Sequence, residues 1–320
     1  MAHWADRPCT AALLLVGLLL VACHGAKSLP VATSTRPGIS PQPTSAPISE
    51  LPRRTPTACS PAQVRATPIL VPRTSPARPL PTPGGAIRIP CGASACVLFL
   101  GNSFTFFNDL PQIFVSLAES GGRDVEARMS ARGGWTLADH ASSPMTLDML
   151  EERAWDYVVL QEQSLIPAAA DQRQSRMLPA ARQLEPGIRA AGAEPLLFLT
   201  WARRDGLPSA GFGDFGQMQA AIELGYLTVA EELQAAVAPV GAAWQQAAGR
   251  EPSIELWQVD GLHPTKAGSY LAACVFYAAI MGESPRGLPY TAGLPQDTAQ
   301  TLQVIAAEVV FQDPARWNLP

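Results

Sequence analysis

Histidine is scarce in this 320-residue chain, with four copies, and the scarcity narrows the chemistry at once. His3 and His24 fall in segments read below as a leader and a spacer, so His140 and His263 are the candidate bases of the foldable part. No CxxC, CxxCH or Cys/His zinc spacing occurs, so a metal site is not expected. A GxSxG elbow is missing too, which argues against an α/β-hydrolase nucleophile. No apolar run is long enough for a permanent transmembrane helix. The longest, Ala11–Ala22, is a dozen residues and has the length of a secretory core.

That run defines a leader over 1–23. It ends in "LVAC", Leu20–Cys23, which resembles the lipobox of bacterial lipoproteins; Cys23 is then the expected lipidation site. Multiple acyl chains on one residue anchor stably, so the expected location is extracytoplasmic and membrane-anchored, at the cell surface or in the periplasm.

Residues 24–90 are Pro, Ser, Thr and Ala with few aromatics and almost no periodicity. Such a composition cannot bury enough apolar surface to fold, and its prolines favour an extended spacer. Lys27 and seven arginines stand there against Glu50, a net of +7, which leaves −11 for 91–320 out of the chain's −4. A basic stalk suits an anionic surface, while the acidic remainder argues against nucleic acid as a partner. Once Cys9 and Cys23 are set aside, Cys91 and Cys96 are the preferred disulfide, with Cys59 also available and Cys274 expected as a buried apolar residue.

The foldable part, 91–320, alternates strand and helix signals. The strands are expected in "CVLFLGNSF", "DVEARMSARGG", "DYVVLQEQS", "AEPLLFLTWARR" and around "APVGAAW", with helices between them, one capped by Asp109. Continuous apolar strands between helices imply an α/β fold with a five-stranded parallel sheet covered on both faces. Ligands in such folds sit beyond the carboxyl ends of the strands. Those ends carry Ser103, the pair Gly133-Gly134, the run Gln161-Glu162-Gln163-Ser164, Trp201, and Asp260 with His263. Pro264 keeps His263 extended, Asp260 three residues earlier can orient its ring, and Thr265 can cap the next helix. "GFGDFG", Gly211–Gly216, fits a dinucleotide fingerprint but is separated from the preceding strand by a loop, and is set aside.

In this order the blocks resemble the SGNH (GDSL) hydrolase superfamily: "GNSFT" its first, with Ser103 at the nucleophile position and Asn102 where the family has aspartate; "GGWT" its second; "DGLHPT" its last. The third departs, because "VVLQEQS" has no asparagine and places Gln163 at the matching offset, with Gln161 as a rival. The resemblance implies a three-layer αβα, flavodoxin-like domain and a Ser103-His263-Asp260 triad. It also implies an oxyanion hole from Gly134 and Gln163, and hydrolysis of acyl or acetyl esters on a small molecule, lipid or polysaccharide without a cofactor. A glycan-binding module on the same fold and an O-acyltransferase stay open as alternatives. Trp201 is expected as a wall of the substrate cleft, with a core position as the competing reading. His140 is expected as a polar surface or supporting residue, and Glu162 as a solvated carboxylate, with a supporting role beside the site as its competing reading.

Overall fold

The computed structural model describes residues 88–320. The leader, Cys23, Cys59 and nearly all of the spacer lie outside the described residues. Among those described, no helix is long and apolar enough to cross a membrane.

Five strands form one sheet: β1 (Ala95–Gly101), β2 (Val125–Ala131), β3 (Tyr157–Leu160), β4 (Glu194–Phe198) and β5 (Ala236–Ala238). Every pairing is parallel and the order is β2-β1-β3-β4-β5. That is the flavodoxin-like order, in which the winding reverses between β1 and β3 and opens a crevice at their carboxyl ends. Val97 to Leu100 are fully buried, as a strand covered on both faces must be.

Between the strands run α1 (Ser103–Phe106), α2 (Leu110–Ser120), α3 (Leu137–Ala141), α4 (Pro144–Glu152), the single turn α5 (Ala170–Gln172), α6 (Leu178–Ala190) and α7 (Phe215–Leu233). After β5 come α8 (Val240–Arg250), α9 (Lys266–Met281) and α10 (Gln296–Gln312). Phe99 and Phe198 meet Phe276 of α9 edge to face, at 5.2 and 4.9 Å between centroids, and Phe99 also meets Phe114 of α2. Almost every residue of α9 is buried, since α10 packs over the face that α9 turns away from the sheet. The other layer is built on α6 with α3, α4 and α7.

Three local expectations need correction. β5 stops at Ala238, and the residues after it enter α8: Pro239 has no N–H for the ladder, and Gly241 N–H donates to the Leu199 carbonyl at 2.8 Å. Asp109 makes no side-chain cap; it and Asn108 are both left-handed, with φ of 53° and 55°. Pairing with the domain also begins ahead of Cys91, because Ile89 bridges Arg153 and accepts from Ala154 N–H at 2.8 Å. Cys91 and Cys96 are joined, with Cα atoms 5.8 Å apart, and Cys274 is buried in α9.

Candidate active site

The apolar run of β1 ends at Gly101, where space decides the residue. A Cβ there would collide with Thr105 Oγ1 and Gln161 Oε1. The chain then turns through Asn102, whose Oδ1 accepts from Phe104 N–H at 3.2 Å and so caps α1. Ser103 is the first residue of that helix, half-exposed at the carboxyl edge of the sheet.

His263 reaches the same edge from the far end of the domain. Its Nε2 lies 3.0 Å from Ser103 Oγ and its Nδ1 2.6 Å from Asp260 Oδ2. Asp260 Oδ1 accepts from the N–H groups of Leu262 and His263, at 2.9 and 3.0 Å. Partial burial pushes the Asp260 carboxyl up, but hydrogen bonds from the His263 ring and these two N–H groups outweigh it and hold it at about 2. Ionised Asp260 can only accept, so the proton between the pair sits on Nδ1, and Nε2 is left to accept from the Ser103 hydroxyl.

The His263 loop is rigidly placed. Gln258 N–H donates to the His263 carbonyl at 2.8 Å, and Thr265 Oγ1 accepts from Gly268 N–H as the cap of α9. Asn108 Nδ2 donates to the carbonyls of Pro264 and Thr265, both at 3.1 Å, and to Ser269 Oγ at 2.9 Å, clamping the segment after Ser103 to the His263 loop. Phe107 stacks on the imidazole.

Gln161 is fully buried and braces the turn that carries Ser103. Its Oε1 accepts from Asn102 N–H at 2.7 Å and Thr105 Oγ1 at 3.1 Å, and its Nε2 donates to the Glu162 carbonyl. Its oxygen and one of its two Nε2 hydrogens are thus engaged in structure. Gln163 is half-buried; its Oε1 accepts from Leu165 N–H at 3.0 Å, while its Nε2 makes no hydrogen bond among the described residues. Gly134 is exposed in the turn after β2 with φ +74°, and Asn102 Nδ2 ties that turn to the Ser103 turn by donating to the Trp135 carbonyl at 2.9 Å.

Burial decides between the readings held for three residues. Trp201 cannot wall a cleft: it is fully buried, stacked between Trp244 at 3.9 Å and Phe104 at 4.4 Å, and its Nε1 donates to the Leu262 carbonyl at 2.9 Å. It supports the His263 loop from beneath. His140 is buried too, with Nε2 2.9 Å from the Gly101 carbonyl and Nδ1 3.1 Å from Thr146 Oγ1. Burial lowers its pKa, and a carbonyl can only accept, so the neutral ring donates from Nε2 and takes the Thr146 proton at Nδ1. Both nitrogens are engaged, so it is no base. Glu162 is buried rather than solvated. Asn102, Asn108 and the bracing role of Gln161 were missed by sequence reading; the one available signal was a polar run placed directly on a buried strand end.

Among the described residues one cluster has metal-ligand spacing, Cys91, Cys96 and Asp156, but its two sulfurs are bonded to each other.

A protein from Slackia heliotrinireducens assigned as an SGNH hydrolase is 32% identical, with 58% of this chain and 98% of that chain aligned and a TM-score of 0.49. The chain belongs to the SGNH hydrolase superfamily. The fold is shared with a DUF4886 family protein from Bacteroides uniformis, at 20% identity, a TM-score of 0.59, and coverage of 68% of this chain and 96% of that one. No family model and no curated protein matches. As an SGNH hydrolase, the chain departs from the usual first and third blocks at Asn102 and Gln163, and Gln161 supplies the brace between the two strand ends.

Proposed function

We propose that this SGNH hydrolase is a serine esterase that cleaves acyl or acetyl esters through a covalent acyl-enzyme. The observation that carries the reading is the approach of His263 Nε2 to within 3.0 Å of Ser103 Oγ, with Asp260 on the opposite ring nitrogen. Ser103 Oγ attacks the ester carbonyl while His263 takes its proton, and the resulting imidazolium is stabilised by Asp260. The tetrahedral oxyanion is held by the N–H groups of Ser103 and Gly134 and by the Gln163 amide. Collapse breaks the bond to the alcohol, which leaves with the proton from His263. Water, deprotonated by His263, then attacks the acyl-Ser103, and the acid departs as Ser103 regains its proton.

The leader's composition supports a wider assignment: a lipoprotein acylated at Cys23, outside the cytoplasm, with 24–90 spacing the catalytic domain from the membrane. The ester is carried by a small molecule, lipid or polysaccharide that meets the domain at that surface.

The test is fluorophosphonate labelling of wild type, Ser103→Ala and His263→Ala, with acetate release from short-chain esters and acetylated polysaccharides. Labelling and release confined to wild type are expected. No label and no release would turn the reading to a glycan-binding module, and release that depends on a sugar acceptor would turn it to an acyltransferase. Detergent-phase partitioning lost in Cys23→Ser tests the anchor.

A further inference from the structure

Glu162 is a carboxylate that neither strand periodicity nor the triad explains. It follows β3 with no exposure to solvent, and no basic side chain lies within salt-bridge distance of it among the described residues. Its Oε1 accepts two backbone N–H groups: that of Gln163, at 2.6 Å, and that of Leu137, at 3.3 Å. Its Oε2 has no hydrogen-bond partner among the described residues. Its own N–H is fixed by donating to Tyr226 Oη of α7 at 3.1 Å.

The two N–H groups belong to different loops. Gln163 carries one proposed oxyanion donor; Leu137 opens α3, three residues after Gly134, which carries the other. The segment between Gly134 and Leu137 is short and stiff. Thr136 caps α3 reciprocally with Asp139, and the Trp135 carbonyl is held by Asn102. A pull on Leu137 is therefore passed to Gly134 with little slack. We infer that Glu162 is a positioning residue of the oxyanion hole, its single carboxylate oxygen setting the separation between the Gly134 turn and the Gln163 loop. The inference rests on the esterase reading above.

The chemistry of the site agrees. Removal from water raises the Glu162 carboxyl to about 7; the Gln163 and Leu137 N–H groups and Arg176, in the π turn Arg173–Met177, oppose the rise, while Asp139 adds to it. Asp139 itself is held low by its backbone and side-chain hydrogen bonds from Thr136, so it stays ionised. Tyr226, raised by its own burial, stays neutral. Glu162 thus exchanges between two charge states near neutrality, and an ionised oxygen accepts N–H groups more strongly than a protonated one. The two donor loops are held best above pH 7. A buried charge with one oxygen unpaired is a stability cost of the kind retained at functional sites.

The experiment compares wild type, Glu162→Gln and Glu162→Ala on p-nitrophenyl acetate from pH 6 to 8, with Ser103→Ala as the control for turnover. Glu162→Ala should lower kcat by about ten- to a hundredfold with KM within about twofold, the signature of misplaced transition-state donors. Glu162→Gln keeps an oxygen acceptor without the charge. Its kcat should approach wild type at pH 6 and fall behind by about three- to tenfold at pH 8, so that the wild-type-to-variant ratio rises with pH. In thermal melts the trend should be opposite, with Glu162→Gln gaining on wild type as pH rises, because only wild type must ionise the buried group. A kcat ratio of wild type to Glu162→Gln that stays near one from pH 6 to 8 overturns the inference, and it does so even if Glu162→Ala fails to fold. Absence of Ser103-dependent turnover in wild type would instead remove the esterase reading, and this inference with it.

Discussion

Phe107 lies flat on the imidazole of His263, the ring centroids 4.4 Å apart and the planes 17° from parallel. Phe104 meets the same imidazole edge-on at 6.1 Å and is stacked on Trp201. The His263 ring is therefore held by apolar surfaces on two sides as well as by Asp260. Phe107→Ala should lower kcat by about three- to tenfold by freeing the ring to rotate, with the fold intact. Steady-state kinetics together with a melting curve check it; equal loss in KM and none in kcat would mean that Phe107 binds substrate rather than steadying the base.

Ser103→Ala and His263→Ala should each reduce kcat by about three orders of magnitude or more, and the double variant should be scarcely worse than either, because the pair acts as one unit. Single-turnover acylation with a chromogenic ester measures this.

Asp260 gives a pH prediction with a definite sign. Its folded pKa, about 2, lies below the ordinary carboxylate value, so its interaction with His263 is complete above the unfolded pKa and is lost only as pH falls through about 2. Any decline of activity between pH 7 and 5 therefore comes from groups other than Asp260. Asp260→Asn should cut kcat at every pH in that range, because the amide supports neither the tautomer nor the imidazolium that the carboxylate favours. A variant that kept wild-type kcat would contradict the assignment.

The neighbouring glutamines should separate by what fails. Gln161→Ala leaves the buried Asn102 N–H without its acceptor, a loss of about 1–3 kcal/mol, and should lower the melting temperature along with kcat. Gln163→Ala should lower kcat about tenfold or more with stability nearly unchanged. Melting curves and kinetics on both variants decide; the reverse pattern would exchange their roles.

A chain beginning at residue 86 should melt at the same temperature as the full protein, since the pairing of Ile89 with Arg153 is kept. Starting at Cys91 instead removes that bridge and the 2.8 Å hydrogen bond from Ala154, and should cost a few degrees.

The amino-acid sequence alone determined the sheet and the chemistry nearest in sequence to its strand ends. Runs such as Val97–Leu100 are apolar at every position because both faces are covered, and that pattern is visible without coordinates. The spacing of Asp260, His263 and Pro264 is likewise local, so the loop's internal geometry could be read from it. Tertiary structure decided what depends on residues distant in the chain. Trp201 looks like any aromatic at a strand end until Trp244 and Phe104 close over it, and Glu162 looks like a surface carboxylate until α3 and α7 enclose it. The cap expected from Asp109 is replaced by two left-handed residues, of which Asn108 reaches across to the Pro264 and Thr265 carbonyls. Burial and long-range hydrogen bonding are properties of the assembled layers, and no window of neighbouring residues contains them.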